Sequence, residues 1–134
     1  MRSILKNTFF RLLLLFPQRM SGRASILMYH SVSDRSEFFC VTPERFYAQM
    51  QYLHKSGRAV ISLAELLTRM KRNELKGGEV VITFDDGYRD NYTTAFPVLK
   101  EFGFPATIFV TTGLVGKKDE RGMEMLTIEE IKEL

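Results

Sequence analysis

Residues 79–91 have the sequence EVVITFDDGYRDN, and this stretch decides the fold of the chain. Its apolar, β-branched part, Glu79–Phe84, predicts a buried strand. The strand runs directly into the adjacent carboxylates of Asp85 and Asp86. Two neighbouring like charges disfavour ionisation of both groups, and desolvation adds to that cost. The pair therefore indicates a site where a cation or a proton compensates the charge, although a solvated Asp-Gly turn also fits these residues.

Strands and helices alternate on both sides of this stretch. The predicted strands are residues 24–29, 58–61, 79–84 and 105–110, and the predicted helices are residues 43–55, 63–70 and 91–102 with a fourth that begins at 128. Such alternation predicts an α/β fold with a parallel sheet and right-handed crossovers.

Capping residues mark where the helices begin. Thr42 precedes Pro43, a favourable N-cap followed by proline at the first helical position. Residues 62–65 and 127–130 each have the capping-box pattern, a hydroxyl residue with glutamate three positions later. Pro97 complicates the third helix, because an interior proline costs about 3 kcal/mol. We therefore place Pro97 near the start of the main helix, after a short turn at 92–95.

Polar residues follow three of the predicted strands. In parallel α/β folds, sites are built where the carboxyl ends of the strands meet. We therefore expect the residues that follow these strands to face a common region: His30, Asp85, Asp86, Thr111 and Thr112.

The composition is that of one ordinary globular domain, with 134 residues, 45% apolar and 26% charged. The net charge of +3 is unevenly distributed: residues 1–23 carry five basic and no acidic side chains, so the rest of the chain is slightly acidic. A nucleic-acid-binding domain would need a basic face, so the composition argues against that partner. Cys40 is the single cysteine, which excludes an internal disulfide.

Residues 1–23 are predicted to be a basic, apolar N-terminal helix and linker, separate from a domain at 24–134. Within residues 2–16, apolar side chains recur at helical spacing among basic ones. The apolar run is shorter than the roughly 20 residues of a membrane span, and no small-residue cleavage site follows it. An amphipathic helix that contacts a membrane surface, or packs on its own domain, fits this pattern. The sequence leaves the compartment open.

Four segments together resemble one family. Residues 83–88 (TFDDGY) resemble the first motif of the polysaccharide deacetylases, the NodB-homology carbohydrate esterases. Residues 26–30 (ILMYH) resemble the opening strand of one branch, residues 105–110 (PATIFV) the strand after the first motif, and residues 125–134 the helix before the second motif. The resemblance runs in continuous order over most of the predicted domain.

This resemblance implies the N-terminal half of an incomplete (β/α) barrel. It also implies a hydrolase that removes N-acetyl groups from a polysaccharide such as chitin, peptidoglycan or poly-N-acetylglucosamine, with a divalent metal, usually zinc. By the same resemblance Asp85 is the general base and Asp86 is a metal ligand, and His30 and Tyr88 lie near the substrate. A metal that activates water beside a carboxylate base suits this reaction.

The sequence departs from the family at the metal site. The family completes the site with two histidines in a short second motif, whereas the histidines here are His30 and His54, which form no such pair. We interpret His54 as structural or solvent-facing. We expect an incomplete fragment, inactive by itself, and the alternative is a non-catalytic remnant that binds carbohydrate or a partner. A receiver domain would carry its acids after the first strand, and a glycosidase needs a second, separated carboxylate at the site.

Overall fold

The computed structural model describes residues 22–134, so the predicted N-terminal helix at 2–16 lies outside the described residues. The strands, in chain order, are β1 (Ala24–Tyr29), β2 (Ser31–Val32), β3 (Cys40–Val41), β4 (Glu79–Phe84) and β5 (Thr107–Ile108). The helices are α1 (Pro43–Lys55), α2 (Leu63–Arg72), α3 (Phe96–Phe102) and α4 (Ile128–Glu133), with a π-helical turn at Asn91–Ala95 and a 3₁₀ turn at Thr112–Leu114. Between residues 22 and 134, no helix combines the length and apolarity that crossing a bilayer requires.

The centre of the fold is a parallel sheet in the order β1-β4-β5, which confirms the predicted α/β class. All six residues of β4 are buried, because helices cover both of its faces. Val80, Ile82 and Phe84 pack into a core with side chains of α1 and α3. Val81 points the other way and packs against Ile61 and Leu66 of the α2 region.

One edge of β4 is shared between two segments. Val80 forms hydrogen bonds with Ala59 and Ile61 at the start of the strand, and Phe109 N donates to Phe84 O at its end, 2.8 Å away. Since each segment has only part of the edge, the strand predicted at 58–61 is a single bridge at Val60, and the strand predicted at 105–110 is the two-residue β5. Both predictions were wrong in length and right in position.

A second small sheet pairs β2 with β3 in parallel, in a region for which the sequence predicted no strand. Ser31 and Val32 are buried, and their polar groups bond to Asp90, which lies 59 and 58 residues away. A partner so distant in sequence supplies no local signal for a strand.

The helices begin at the predicted capping residues. Thr42 and Ser62 accept hydrogen bonds from the backbone of the first turns of α1 and α2. The capping box is complete at Thr127 and Glu130, but only half formed at Ser62, because Glu65 bonds to Arg69 instead. The predicted helix at 91–102 is the π-helical turn followed by α3, with its proline in the first turn as expected.

Glu79 is a charged residue at the first position of the buried strand. Its carboxylate accepts hydrogen bonds from the backbone N–H groups of Lys76 and Gly77, both at 2.8 Å, and lies 3.7 Å from the Arg69 guanidinium. Burial by itself raises the pKa of a carboxyl group, but these donors and the cation outweigh it and hold the pKa of Glu79 below its usual value. The ionised side chain therefore stabilises the fold.

We expect Glu79→Gln to lower the free energy of unfolding at pH 7 by about 1–3 kcal/mol, because a hydrogen-bonded charge is lost. Since the folded pKa is depressed, the stabilisation by Glu79 is present above the unfolded pKa and disappears as the pH falls through the folded value. Denaturant titrations at pH 7 and pH 3 should show the difference between variant and wild type shrinking at pH 3. The exposed Glu129→Gln is the control and should change little at either pH. An equal loss at both pH values would contradict the role of the charge.

Candidate functional site at the carboxyl ends of the strands

The acid turn, residues 85–87, lies where the parallel strands end. Asp85 N donates to Tyr29 O at 2.8 Å, which places the turn beside the end of β1. Thr111 N donates to Asp86 O at 3.1 Å, which places the segment after β5 on the other side. The backbone thus brings the ends of three strands together at one edge of the sheet, as the sequence predicted.

The acid turn has a strained backbone. Asp86 has φ +69° and Gly87 has φ +79°. Gly87 N donates to Asp85 O at 2.9 Å, so these residues form a γ-turn of the uncommon positive-φ type. The sequence predicted the left-handed conformation only for the glycine. Aspartate tolerates that conformation better than most residues, and this was the available signal for Asp86.

Neighbouring segments hold the turn in this conformation. Leu126 N donates to Gly87 O at 3.0 Å, and Arg89 N donates to Glu124 O at 2.9 Å. The Arg89 side chain also forms ion pairs with Glu124 and Glu130, at 2.9 Å and 2.7 Å. These bonds connect the acid turn to the segment that leads into α4, and they stabilise the strained conformation of the turn.

The two carboxylates are half-buried, and neither accepts a hydrogen bond from residues 22–134. This differs from the other buried acids of the fold, Glu79 and Glu130, whose oxygens are fully engaged by N–H donors. The acid pair therefore presents free acceptor oxygens at the edge of the sheet, which is what a base or a cation ligand requires.

Tyr88 follows the turn and is enclosed, with 4% of its surface exposed. Its ring stacks on Phe39 at 5.7 Å, and its hydroxyl donates to Asp119 at 3.4 Å. Burial, together with the charges of Asp86 and Asp119, raises the pKa of Tyr88 to about 12. The phenol is therefore neutral, and its predicted contact with substrate stays a prediction.

His30 follows β1 at the same edge and is half-buried. Its ring lies 5.7 Å from the ring of Phe39, and its carbonyl O accepts a 2.7 Å hydrogen bond from Asn91 Nδ2. His54 lies in the last turn of α1 against Phe102, at 5.5 Å between rings. The structure thus places His30 beside the acid turn and His54 on the helical layer, in agreement with the structural interpretation of His54.

Sequence reasoning missed two acids that support this region. Asp90 accepts hydrogen bonds from Ser31 Oγ and Val32 N, and burial raises its pKa although these bonds oppose the shift. Asp119 accepts from Tyr88 and from the backbone N–H of Met123. Their partners are distant in sequence or lie in an irregular loop, so no periodic pattern marks them.

The donor set fits only part of a metal site. Asp85 and Asp86 supply oxygen ligands of the kind that divalent cations accept. A catalytic zinc site has three protein ligands, and within residues 22–134 no three His, Cys, Asp or Glu side chains are grouped for one ion. These residues therefore do not complete a zinc site.

A groove of about 650 Å³ lies elsewhere. It runs along the outer edge of β1, between that strand and α1, and its lining includes Ile26, Met28 and Tyr52. Neither Asp85 nor Asp86 lines this groove. We therefore locate the chemistry by the free carboxylates and not by cavity size.

Comparisons with known proteins match the part of the chain that contains the acid turn. A family model described as polysaccharide deacetylase matches residues 72–132. YxkH of Bacillus subtilis is 42% identical over 116 residues, which cover 84% of this chain and 39% of YxkH. Its name describes it as a polysaccharide deacetylase. The poly-β-1,6-N-acetyl-D-glucosamine N-deacetylase of Staphylococcus aureus is 29% identical over 110 residues, which cover 82% of this chain and 38% of that enzyme.

Among solved structures, IcaB from Ammonifex degensii is similar to this chain with a TM-score of 0.76 and 37% identity. The match covers 82% of this chain and 47% of IcaB. The chain thus spans about two fifths of the length of the curated relatives and about half of the solved structure.

We expect Gly87→Ala to destabilise the protein more than Gly57→Ala does. Both glycines have positive φ, but a Cβ at Gly87 would lie 3.3 Å from backbone and side-chain atoms of Val110, whereas a Cβ at Gly57 would have open space. The strain of the left-handed conformation costs roughly 1–2 kcal/mol at each site, and crowding at Gly87 adds about 1–3 kcal/mol. Denaturant unfolding of both variants measures the difference, and equal losses would show that Val110 does not constrain the turn.

Proposed function

Because this chain belongs to the polysaccharide deacetylase family, we propose that the protein hydrolyses N-acetyl groups on a polysaccharide. The observation that carries this proposal is the acid pair: two half-buried carboxylates without donors, on a strained turn at the carboxyl ends of a parallel sheet. Strained backbone conformations cluster at functional sites, because the surrounding structure must stabilise them. The activity is proposed for the whole protein, of which residues 22–134 contribute this edge.

In the proposed reaction Asp85 is the general base. A water molecule adds to the acetyl carbonyl carbon while the Asp85 carboxylate takes its proton. The C–N bond then breaks as the nitrogen receives a proton, which balances the one taken by Asp85, and acetate and a free amine on the sugar are released. A general base must lie within hydrogen-bonding reach of the proton that it removes. The absence of competing donors among residues 22–134 leaves the Asp85 oxygens available for that water.

Asp86 is proposed as one ligand of a divalent metal ion, zinc by the family resemblance. When bound, such an ion lowers the pKa of a coordinated water and polarises the acetyl carbonyl. The remaining protein ligands would come from outside residues 22–134, since the described residues offer no group of three. The γ-turn is centred on Asp86, so the two acids differ in backbone conformation, which supports separate roles for them.

The proposed substrate is a polymer of N-acetylated amino sugars. The Staphylococcus aureus relative is named for poly-β-1,6-N-acetyl-D-glucosamine, and its similarity covers the acid turn and the strands around it. His30 and Tyr88 are proposed to lie near the sugar, His30 from the end of β1 and Tyr88 from beneath the turn. A protein that binds carbohydrate without hydrolysing it is the second candidate, and the incomplete ligand set favours it.

We expect Asp85→Asn in the whole protein to lower kcat for acetate release from N-acetylglucosamine oligomers at least about 100-fold, because the general base is lost. The substitution keeps the size of the side chain, so oligomer binding should be retained. Asp34→Asn, in an exposed loop, is the matched control and should leave the rate unchanged. Wild-type protein that binds the oligomer and releases no acetate would favour the binding-only candidate.

Asp86→Asn is expected to weaken zinc binding by the whole protein, since a neutral amide is a poorer ligand than a carboxylate. Isothermal calorimetry should give one ion per wild-type molecule and a reduced affinity for the variant. The 134-residue segment alone should bind zinc weakly and release no acetate, because its described residues lack three ligands. Tight, stoichiometric binding by the segment would refute the proposal that the site is incomplete within it.

A further inference from the structure

A buried polar cluster joins His30 and β2 to Asp90 and Asn91, which follow the acid turn. Ser31 Oγ donates to Asp90 Oδ2 at 2.6 Å, and Val32 N donates to Asp90 Oδ1 at 3.0 Å. Asn91 Nδ2 donates to His30 O at 2.7 Å and to Asp90 Oδ1 at 3.2 Å. The two adjacent side chains therefore bind three consecutive residues that lie 58 to 61 positions earlier in the chain.

This cluster begins where the sheet ends. The last backbone hydrogen bond between the ends of β1 and β4 runs from Asp85 N to Tyr29 O. The next carbonyl, that of His30, accepts its bond from the Asn91 side chain. A side-chain hydrogen bond thus replaces the strand ladder at His30, the residue that follows β1, and Phe39 contacts its imidazole ring.

The burial of the cluster makes it a stiff connection. Ser31 is fully buried and Asn91 is 1% exposed, so neither can exchange its partner for water. Burial also raises the pKa of Asp90, against the opposing effect of its bonds to Ser31 and Val32. Loss of one bond would leave a desolvated polar group without a partner, which disfavours any displacement of β2.

Asn91 also carries a feature that stability alone does not explain. Its Oδ1 atom is buried and finds no hydrogen-bond partner among the described residues. An unpaired buried acceptor is unfavourable, whereas an apolar side chain of similar size would avoid that cost. Leu99, Leu126 and Phe96 line the same cavity as Asn91, so the surroundings would accept an apolar residue. What the amide adds is the pair of bonds from Nδ2 to His30 O and to Asp90 Oδ1.

We propose that Asp90 and Asn91 are positioning residues that hold His30 and β2 in a fixed position relative to the acid pair. This proposal rests on the proposed function of the site. Neither side chain contacts the reacting atoms; both act through His30 and β2. A purely structural role would instead fasten β2 to the fold and affect stability alone, so the test must separate the two.

The first measurement does not need activity. In the whole protein, Asn91→Leu should shift the imidazole NMR resonances of His30 and leave those of His54 unchanged, because His54 packs on Phe102 away from the cluster. Ser31→Ala removes the 2.6 Å bond to Asp90 and the 2.8 Å bond with Ser33 Oγ but keeps the bond from Asn91 to His30 O, so it should shift the His30 resonances less. Unchanged His30 resonances in folded Asn91→Leu protein would overturn the proposal.

The second measurement is a double-mutant cycle on acetate release. Asn91→Leu should lower kcat/KM about tenfold or more in the wild-type background, since small misplacements at a site are costly, and less than twofold in the His30→Ala background. Glu79→Gln, at the opposite end of β4, is the control that loses stability and keeps kcat/KM. Equal losses of kcat/KM from Asn91→Leu in both backgrounds would show a structural role. So would a loss of kcat/KM in Glu79→Gln that is as large as the loss in Asn91→Leu. Wild-type protein that releases no acetate would refute the proposed function, while the NMR comparison would still decide the positioning role.

Discussion

The rest of the structure depends on how the carboxylates at the two ends of one buried strand, β4, are compensated. A carboxylate at the end of a buried strand loses water and needs donors or a cation in return. At the start of the strand, Glu79 is satisfied by two backbone N–H groups and by Arg69. At its end, Asp85 and Asp86 accept no hydrogen bond from residues 22–134. The carboxylate at the start of β4 is therefore structural, whereas the two carboxylates at its end have free oxygens that can accept a proton or bind a cation.

The acid pair is held rigidly although its own oxygens are free. The γ-turn places Asp86 in a conformation that few residues adopt, and backbone N–H groups of Thr111 and Leu126 donate to the carbonyl groups of Asp86 and Gly87. Preorganised groups contribute most to catalysis because they do not need to reorient during the reaction. The supporting bonds come from segments after β5 and before α4, so much of the surrounding fold contributes to the position of two side chains.

Membership of the polysaccharide deacetylase family and the geometry of the sheet edge both support the proposed function. The family match concerns only part of each relative, and the geometry concerns only residues 22–134. The relatives match over about two fifths of their length, and IcaB matches over about half of its own. Within that portion the chain contributes the acid pair, which we propose as general base and metal ligand, and the Asp90–Asn91 cluster, which bonds to residues 30–32. The carboxylate pair alone offers fewer ligands than catalytic zinc requires, which is why the deacetylase activity is proposed for the whole protein.

The sequence by itself determined the buried strand with its acid pair, the parallel alternation and the starts of the helices. These features follow from local signals: apolar β-branched runs, hydroxyl caps and the position of Pro97. Only the tertiary structure decided that Val60 and β5 divide one edge of β4, that Asp86 is left-handed, and that Asp90 bonds to residues 58 and 59 positions away. The physical reason is that a hydrogen-bond partner is chosen by which segments reach the same edge in space, and no short stretch of sequence encodes that meeting.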